Sequence, residues 1–434
     1  AVAGIIMGKF AKGKESEEKG FIGKSEIRVK DGKMTPEVLL AFGRLSDPQV
    51  SPDGKKLLYG VSYNSIEENR SCRNLYISNL DGSDAHLATR SGRSISNARW
   101  SADGKKVAYL MGGQIYIAKV RKDGTLGKGK KVSDIAAGIG EFKLSPDQSQ
   151  VIFLSTVAGR VKTPGQIYPD LPKAEAYETE TMMYRHWDHW VEEIPHSFVG
   201  TFDWDKGLGN FFDILGSEGA EDGGVSPYEL PTEPFGGLEE LCWNPDGTRI
   251  AYSCRKKDGK DYAFSTDTEI YIYNIQSGEC VHVPMGGGYD TTPVWSPDGS
   301  KICWISMERD GYEADKQRLM VAEIDGMKVG TIRELSAGFK YNVAEPVWDE
   351  DSQHIWFNAL TEGLQALYVT DLKGNITRKT GEGLWYDFTT PFFIDRTDGR
   401  EILYTTWQSM DFPTEIVAFN TATQTGTKVT DENG

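Results

Sequence analysis

The densest chemistry in this sequence lies in one ten-residue run, Tyr184-Arg185-His186-Trp187-Asp188-His189-Trp190-Val191-Glu192-Glu193. Aromatic and imidazole rings, an arginine and three carboxylates are packed into it, which is unusual for a surface loop. Carboxylates suit an ammonium group and arginine suits a carboxylate, each through charge-assisted hydrogen bonds. The run therefore reads as a polar cluster for a charged peptide end. Glu192 and Glu193 are the first candidates, Arg185 and Asp188 the second, and Trp187 and Trp190 their aromatic flank. The plainer alternative is that Trp187 and Trp190 anchor the loop while the charges face solvent, with Arg185 and Asp188 joined as an internal ion pair. His186, His189 and His196 lie close together, but their spacing is not that of a zinc site such as H-E-x-x-H. No metal and no cofactor are expected. His86, His282 and His354 stand singly near strand-like runs and read as structural.

The elements that must position this run are set by an internal repeat. Ser51-Pro52-Asp53-Gly54 recurs as Ser101-Ala102-Asp103-Gly104, Ser145-Pro146-Asp147-Gln148, Asn244-Pro245-Asp246-Gly247 and Ser296-Pro297-Asp298-Gly299. Two more degenerate copies are Asp349-Glu350-Asp351-Ser352 and Arg396-Thr397-Asp398-Gly399. Aspartates at 53, 103, 147, 246, 298, 351 and 398 are separated by 50, 44, 99, 52, 53 and 47 residues. Pro presets φ at the second turn position, Asp caps its own turn, and Gly takes the positive-φ position. Apolar runs flank each turn, such as Pro293-Val294-Trp295 before and Ile302-Cys303-Trp304 after, and a third run such as Ile270-Tyr271-Ile272 follows. Strands in units of this length, arranged radially, make a β-propeller, because a flat stack would leave sheet edges open. The expectation is an all-β, seven-bladed propeller over residues 44–432, with the large aromatic of each second strand packed between blades. The last unit supplies its own strands, so the ring is expected to be unlatched, closed by packing of the first and last blades.

The doubled separation, from Asp147 to Asp246, is read as an insertion in the third blade, at about residues 155–196. It leaves after Val151-Ile152-Phe153-Leu154 and returns at 197–202, and it carries the polar cluster. No turn motif near its middle suggests an eighth blade. Ahead of the first blade, residues 1–43 read as an arm with a short helix, Thr35 as N-cap, Pro36 at its first position and Gly43 as its stop. A strand at 26–29 is a further option there.

Composition excludes some functions. Forty-eight basic against 64 acidic residues give a net charge of −16, which repels phosphate backbones and argues against nucleic acid. The lysines and arginines at 119–131 are diluted by Gly and Asp and read as a basic turn. No stretch is long and apolar enough to span a bilayer. Five cysteines without a C-x-x-C pair do not form a disulfide framework.

Two longer motifs carry a resemblance. Met34-Thr35-Pro36-Glu37-Val38-Leu39-Leu40, continuing through Leu45-Ser46-Asp47-Pro48-Gln49-Val50-Ser51-Pro52-Asp53-Gly54-Lys55, resembles the opening of propellers of the dipeptidyl peptidase V/acylaminoacyl-peptidase type. Tyr184-Arg185-His186-Trp187-Asp188-x-Trp190 is similar to a motif in their third-blade insertion. With the blade motifs, the resemblance covers about residues 34–432. It implies the N-terminal propeller of a prolyl oligopeptidase-superfamily serine peptidase, followed by an α/β-hydrolase domain that carries Ser, Asp and His. The propeller would cap the active site and hold the amino end of a peptide substrate. Trp190-Val191-Glu192-Glu193 is similar to the motif with which members like dipeptidyl peptidase IV supply a Glu pair for that task. The expected partners are thus a peptide and a hydrolase domain, in cis or as a separate fragment, with room for a homodimer, and the expected location is periplasmic or otherwise exported. No G-x-S-x-G elbow occurs, since Gly92-Arg93-Ser94-Ile95-Ser96 lacks the closing Gly, so the catalytic half is expected to be missing and the chain to be inactive alone. The alternative is a stand-alone TolB-like scaffold for protein–protein contact.

Overall fold

In the computed structural model, which describes residues 20–180, 182–221 and 223–434, the repeated turns are built by side chains. Ser51, Ser101, Ser145 and Ser296 each donate to the aspartate two residues on, at 2.6–2.7 Å. The same hydroxyls accept the N–H five residues on, and each aspartate accepts the N–H two residues after itself. Asn244 does the work of the serine in the fourth copy. The last turn position is left-handed throughout, at φ +71° for Gly54, +60° for Gln148 and +55° for Ser352. The seventh copy departs from the reading of Asp398 as the cap. There Asp395 accepts Thr397 N at 2.8 Å and the Thr397 hydroxyl at 2.5 Å, while Asp398 itself takes the left-handed position at φ +60°. The motif has slipped by three residues because Thr397 can satisfy Asp395 locally.

The turns join seven antiparallel sheets, each with four strands side by side in chain order, and the fold is a seven-bladed β-propeller. In the seventh blade the first strand is split into Asp387–Phe388 and Phe393–Asp395, both paired with Ile402–Gln408. Middle strands are covered on both faces, so they read as unbroken apolar runs rather than alternating ones; Gln150–Ala158, for example, buries Val151 through Ser155. The recurring aromatics of the second strands stack on their cross-strand partners in the third. Tyr59–Tyr76, Tyr109–Tyr116, Tyr252–Tyr271 and Phe357–Tyr368 lie 5.8, 5.9, 5.4 and 5.6 Å apart. A second use of aromatics joins one blade to the next. Three tryptophans that end inner strands donate their indole N–H to the preceding blade, Trp100 to Gln49 O at 3.4 Å, Trp243 to Lys143 O at 3.2 Å and Trp348 to Val294 O at 3.0 Å, whereas Trp295 Nε1 finds no partner among the described residues.

The chain divides into two compact units, Ala1–Ile135 with Gly381–Gly434, and Ala136–Thr380. The first holds blades one, two and seven. There, among the described residues, the first and seventh blades share no strand. They meet through a core that includes Leu57, Tyr59, Tyr404, Ile416 and Val429. The second unit holds blades three to six. Among the described residues there are three short helices. The first, Pro36–Ala41, has Thr35 Oγ1 accepting Val38 N at 3.3 Å. Residues 26–29 form no strand, and residues 1–19 of the proposed arm lie outside the described residues.

Candidate functional site

In an up-and-down blade the turns between first and second strands lie at one end. The connections from second to third strand, and from fourth strand to the next blade, lie at the other. Three long segments of the second unit therefore meet at one end: residues 159–192 within the third blade, 214–240 leading to the fourth, and 255–268 within the fourth. The third-blade strands run further than the sequence suggested. Gln150–Ala158 pairs with Glu193–Asp203 in an uninterrupted register from Gln150↔Thr201 to Ala158↔Glu193. The excursion is thus 159–192, and Glu193 is the first residue of a strand. Close approach of the two arms continues to Gly159, where a Cβ would stand 2.3 Å from Val191 O.

The polar run folds as a miniature hairpin. Arg185–His186 pairs with His189–Trp190, and Trp187 and Asp188 form its tip, Trp187 at φ +41°. The two tryptophans have different fates. Trp190 is half-buried and stacks on Tyr177 at 4.6 Å and Tyr184 at 5.9 Å, so it does anchor the loop. Trp187 is 67% exposed and meets Phe235, itself 71% exposed, edge-on at 5.0 Å. The anticipated Arg185–Asp188 ion pair is not formed. Arg185 lies over the Trp190 ring at 5.6 Å, and Asp188 Oδ1 contacts His189 Nδ1 at 3.3 Å, because the tight tip turns the two side chains apart.

Glu192 and Glu193 are brought together on the wall of a hollow of about 360 Å³, with Thr156, His186, His189, Trp190, Glu229 and Glu233 as further lining. Thr156 Oγ1 donates to Glu193 Oε2 at 2.8 Å, and the Tyr177 hydroxyl bonds to Glu192, which raises the tyrosine's pKa. Burial, and then the charge of Glu229, push the Glu233 carboxyl above the usual carboxylate range, against the pull of His186 and His189. Beneath the hollow, Glu229 is 2% and His186 7% exposed, with Glu229 Oε1 2.7 Å from His186 Nε2. The Tyr262 hydroxyl donates to Glu229 Oε2, and burial followed by that carboxylate drives the Tyr262 pKa upward. Glu229, Glu233 and Tyr262 were missed by sequence reasoning. The one signal available was a glutamate between apolar neighbours, Tyr228-Glu229-Leu230. The three clustered histidines are dispersed to separate partners: His186 to Glu229, His189 to Asp188, and His196 to Asp213 Oδ2 at 2.6 Å. Among the described residues no three His, Cys, Asp or Glu side chains converge as metal ligands. The arrangement offers carboxylates and a π-face to a cation.

A curated relative, Dipeptidyl-peptidase 5 of Porphyromonas gingivalis, is 36% identical over 403 residues, covering 92% of this chain and 56% of the relative. Over almost its whole length this chain is therefore similar to a dipeptidyl-peptidase 5. It spans about half the length of the curated relatives it matches. The acylaminoacyl peptidase of Pyrococcus horikoshii superposes on this chain with a TM-score of 0.61 at 17% identity, over 91% of this chain and 54% of that one. The β-propeller domain of the Trilobed protease from Pyrococcus furiosus, described as having an open velcro topology, superposes with a TM-score of 0.53 at 16% identity, over 90% and 97% of the two chains. These two likenesses concern the fold. No protein-family model matches the chain. Among the described residues no helix is long and apolar enough to cross a membrane.

Proposed function

We propose that this propeller is the non-catalytic, substrate-gating part of a dipeptidyl or acylaminoacyl-type serine exopeptidase, and that its acidic hollow receives the free amino end of the peptide. A hydrolase domain, in cis or as a separate fragment, would supply Ser, Asp and His, and the 159–192 excursion would face it. The observation that carries this reading is the placing of Glu192 and Glu193 on one hollow beside Trp190 and Glu233. The relatives named as dipeptidyl peptidases support it. An exported, periplasmic location belongs to the same proposal.

A carboxylate facing an ammonium in a partly dry cleft is worth roughly 1.5–3 kcal/mol net. Glu192→Gln and Glu193→Gln in the full-length enzyme should therefore cost about ten- to a hundredfold in kcat/KM. The loss should fall on substrates with a free amino end and spare N-blocked ones. Equal losses on both substrate types, or none, would leave the glutamates as solvated charges and remove the proposal.

A further inference from the structure

The hairpin that flanks the acidic wall cannot hold itself in place. It has two paired residue positions, Arg185↔Trp190 and His186↔His189, and short isolated hairpins are marginal in water. Its base is tied by backbone bonds, from Val191 N to Tyr184 O at 2.9 Å and from Arg160 N to Val191 O at 3.1 Å, while side-chain tethers hold the hairpin itself. Trp190 supplies one by stacking on Tyr177, at the exposed side. The other is His186, the hairpin residue that points inward and is buried. Its partner Glu229 belongs to a different segment, and that carboxylate is engaged on both oxygens. Oε1 faces His186 Nε2 at 2.7 Å, and Oε2 accepts from the Tyr262 hydroxyl and from Glu233 N, the latter at 3.2 Å. The backbone around Glu229 is fixed as well, with Leu230 N donating to Pro195 O at 2.9 Å and Cys254 Sγ to Glu229 O at 3.3 Å. Tyr262 lies on the short helix Gly259–Ala263, so one carboxylate joins three separate segments.

We infer that Glu229 is a positioning residue: buried and engaged on both oxygens, it holds the Arg185–Trp190 hairpin through His186 and thereby fixes Trp190, the aromatic flank beside Glu192 and Glu193. It also lines the hollow, with both oxygens turned to groups of the fold. Its functional consequence rests on the amino-end reading above, whereas its geometry does not. A buried pair that loses one partner leaves the other uncompensated, so truncation is far more disruptive than an isosteric change. A glutamine at this position keeps an acceptor for His186 Nε2–H or for Tyr262.

The test uses this chain with two readouts. Amide hydrogen exchange over residues 184–193, without peptide, is compared for the wild type, Glu229→Ala, Glu229→Gln and, should the alanine variant not fold, Tyr262→Phe. Affinity is measured calorimetrically for glycyl-phenylalanine amide and for its N-acetyl counterpart. Glu229→Ala should speed exchange at 184–193 at least tenfold while leaving the blade-five strands Lys301–Ser306 and Arg318–Asp325 unchanged. It should also lower the free-over-acetylated affinity ratio about tenfold, with Glu229→Gln within threefold of wild type on both readouts. Unchanged exchange at 184–193, exchange raised equally in every blade, or equal damage by alanine and glutamine would each overturn the inference. A wild-type chain with no preference for the free amine would instead remove the proposed function, and the exchange result would still decide the role of Glu229.

Discussion

Glu240 shows what burial does to one carboxylate at this end of the fold. It is buried, Oε2 accepts Thr232 N at 2.8 Å, and Oε1 has no hydrogen-bond partner among the described residues. Desolvation outweighs the Thr232 bond and the pull of Arg255, so its pKa is raised to about 8. A raised carboxyl pKa means that the folded state keeps a proton which the unfolded chain releases. Stability should therefore fall as pH rises from about 4.5 to about 8, and this group should add no slope outside that window. Glu240→Gln removes the slope, and its amide can be directed to the empty side. The variant should match the wild type near pH 4.5 and exceed it by on the order of 2 kcal/mol at pH 8, the shift being discounted for relaxation around a buried charge. Denaturant unfolding across that range measures it; a variant weaker than wild type at pH 8 would show that Glu240 is held as a useful charge.

At the scale of the element, the seven turns use one local rule, and the seventh tests it. Asp298 accepts from the Ser296 hydroxyl at 2.6 Å and Ser300 N at 2.9 Å, which overcome desolvation and lower its pKa to about 2. That stabilisation is complete above the ordinary value near 3.8 and is lost as pH falls through about 2. With the side chain 45% exposed, Asp298→Ala should cost only about 1 kcal/mol at neutral pH, and less below pH 3. In the seventh turn the Thr397 hydroxyl and then Thr397 N lower the pKa of Asp395, so Asp395→Ala should cost a similar amount. Asp398→Gly, at a left-handed position, should change stability by less than about 0.5 kcal/mol. The reverse ranking in chemical denaturation would restore Asp398 as the cap.

For the whole molecule, the first unit depends on how blades one and seven are joined without a shared strand. The chain's last residues do part of this. Tyr59 and Tyr63 each donate to Glu432 at 3.0 Å, and Asn433 exchanges two hydrogen bonds with Gly43, at 2.7 and 3.0 Å. Buried Glu415 fixes that segment by accepting Asn433 N at 3.0 Å and the Thr430 hydroxyl at 2.5 Å. Asn433→Ala leaves both Gly43 groups unpaired and should cost about 1–3 kcal/mol. Hydrogen exchange should quicken in Arg44–Val50 and Thr425–Lys428 before it changes in blades five and six. Uniform quickening, or none, would mean that the apolar core alone joins the two blades.

The sequence by itself determined the blade count, the chemistry of six of the turns and the middle strands, because each is local and repeated along the chain, while the seventh turn is capped by Asp395 and not by Asp398. Even a missing Gly did not obscure the turn, since Gln148 and Ser352 accept the left-handed conformation once Asp147 and Asp351 cap it. The density of charge and rings also marked the run around Glu192 and Glu193 as a candidate, and the fold sets both on one hollow. It could not tell that Trp190 is an anchor and Trp187 is not, since the two sit three residues apart on a hairpin whose faces are set by the segments packed beneath it. Nor could it find Glu229, Glu233 or Tyr262. Glu229 and Glu233 reach the hollow from one other connection and Tyr262 lies beneath it on another, some 40 and 70 residues further along the chain, and none carries a motif of its own. Their role arises from the up-and-down winding of the third and fourth blades, which gathers distant connections at one end, and that convergence is a property of the tertiary structure alone.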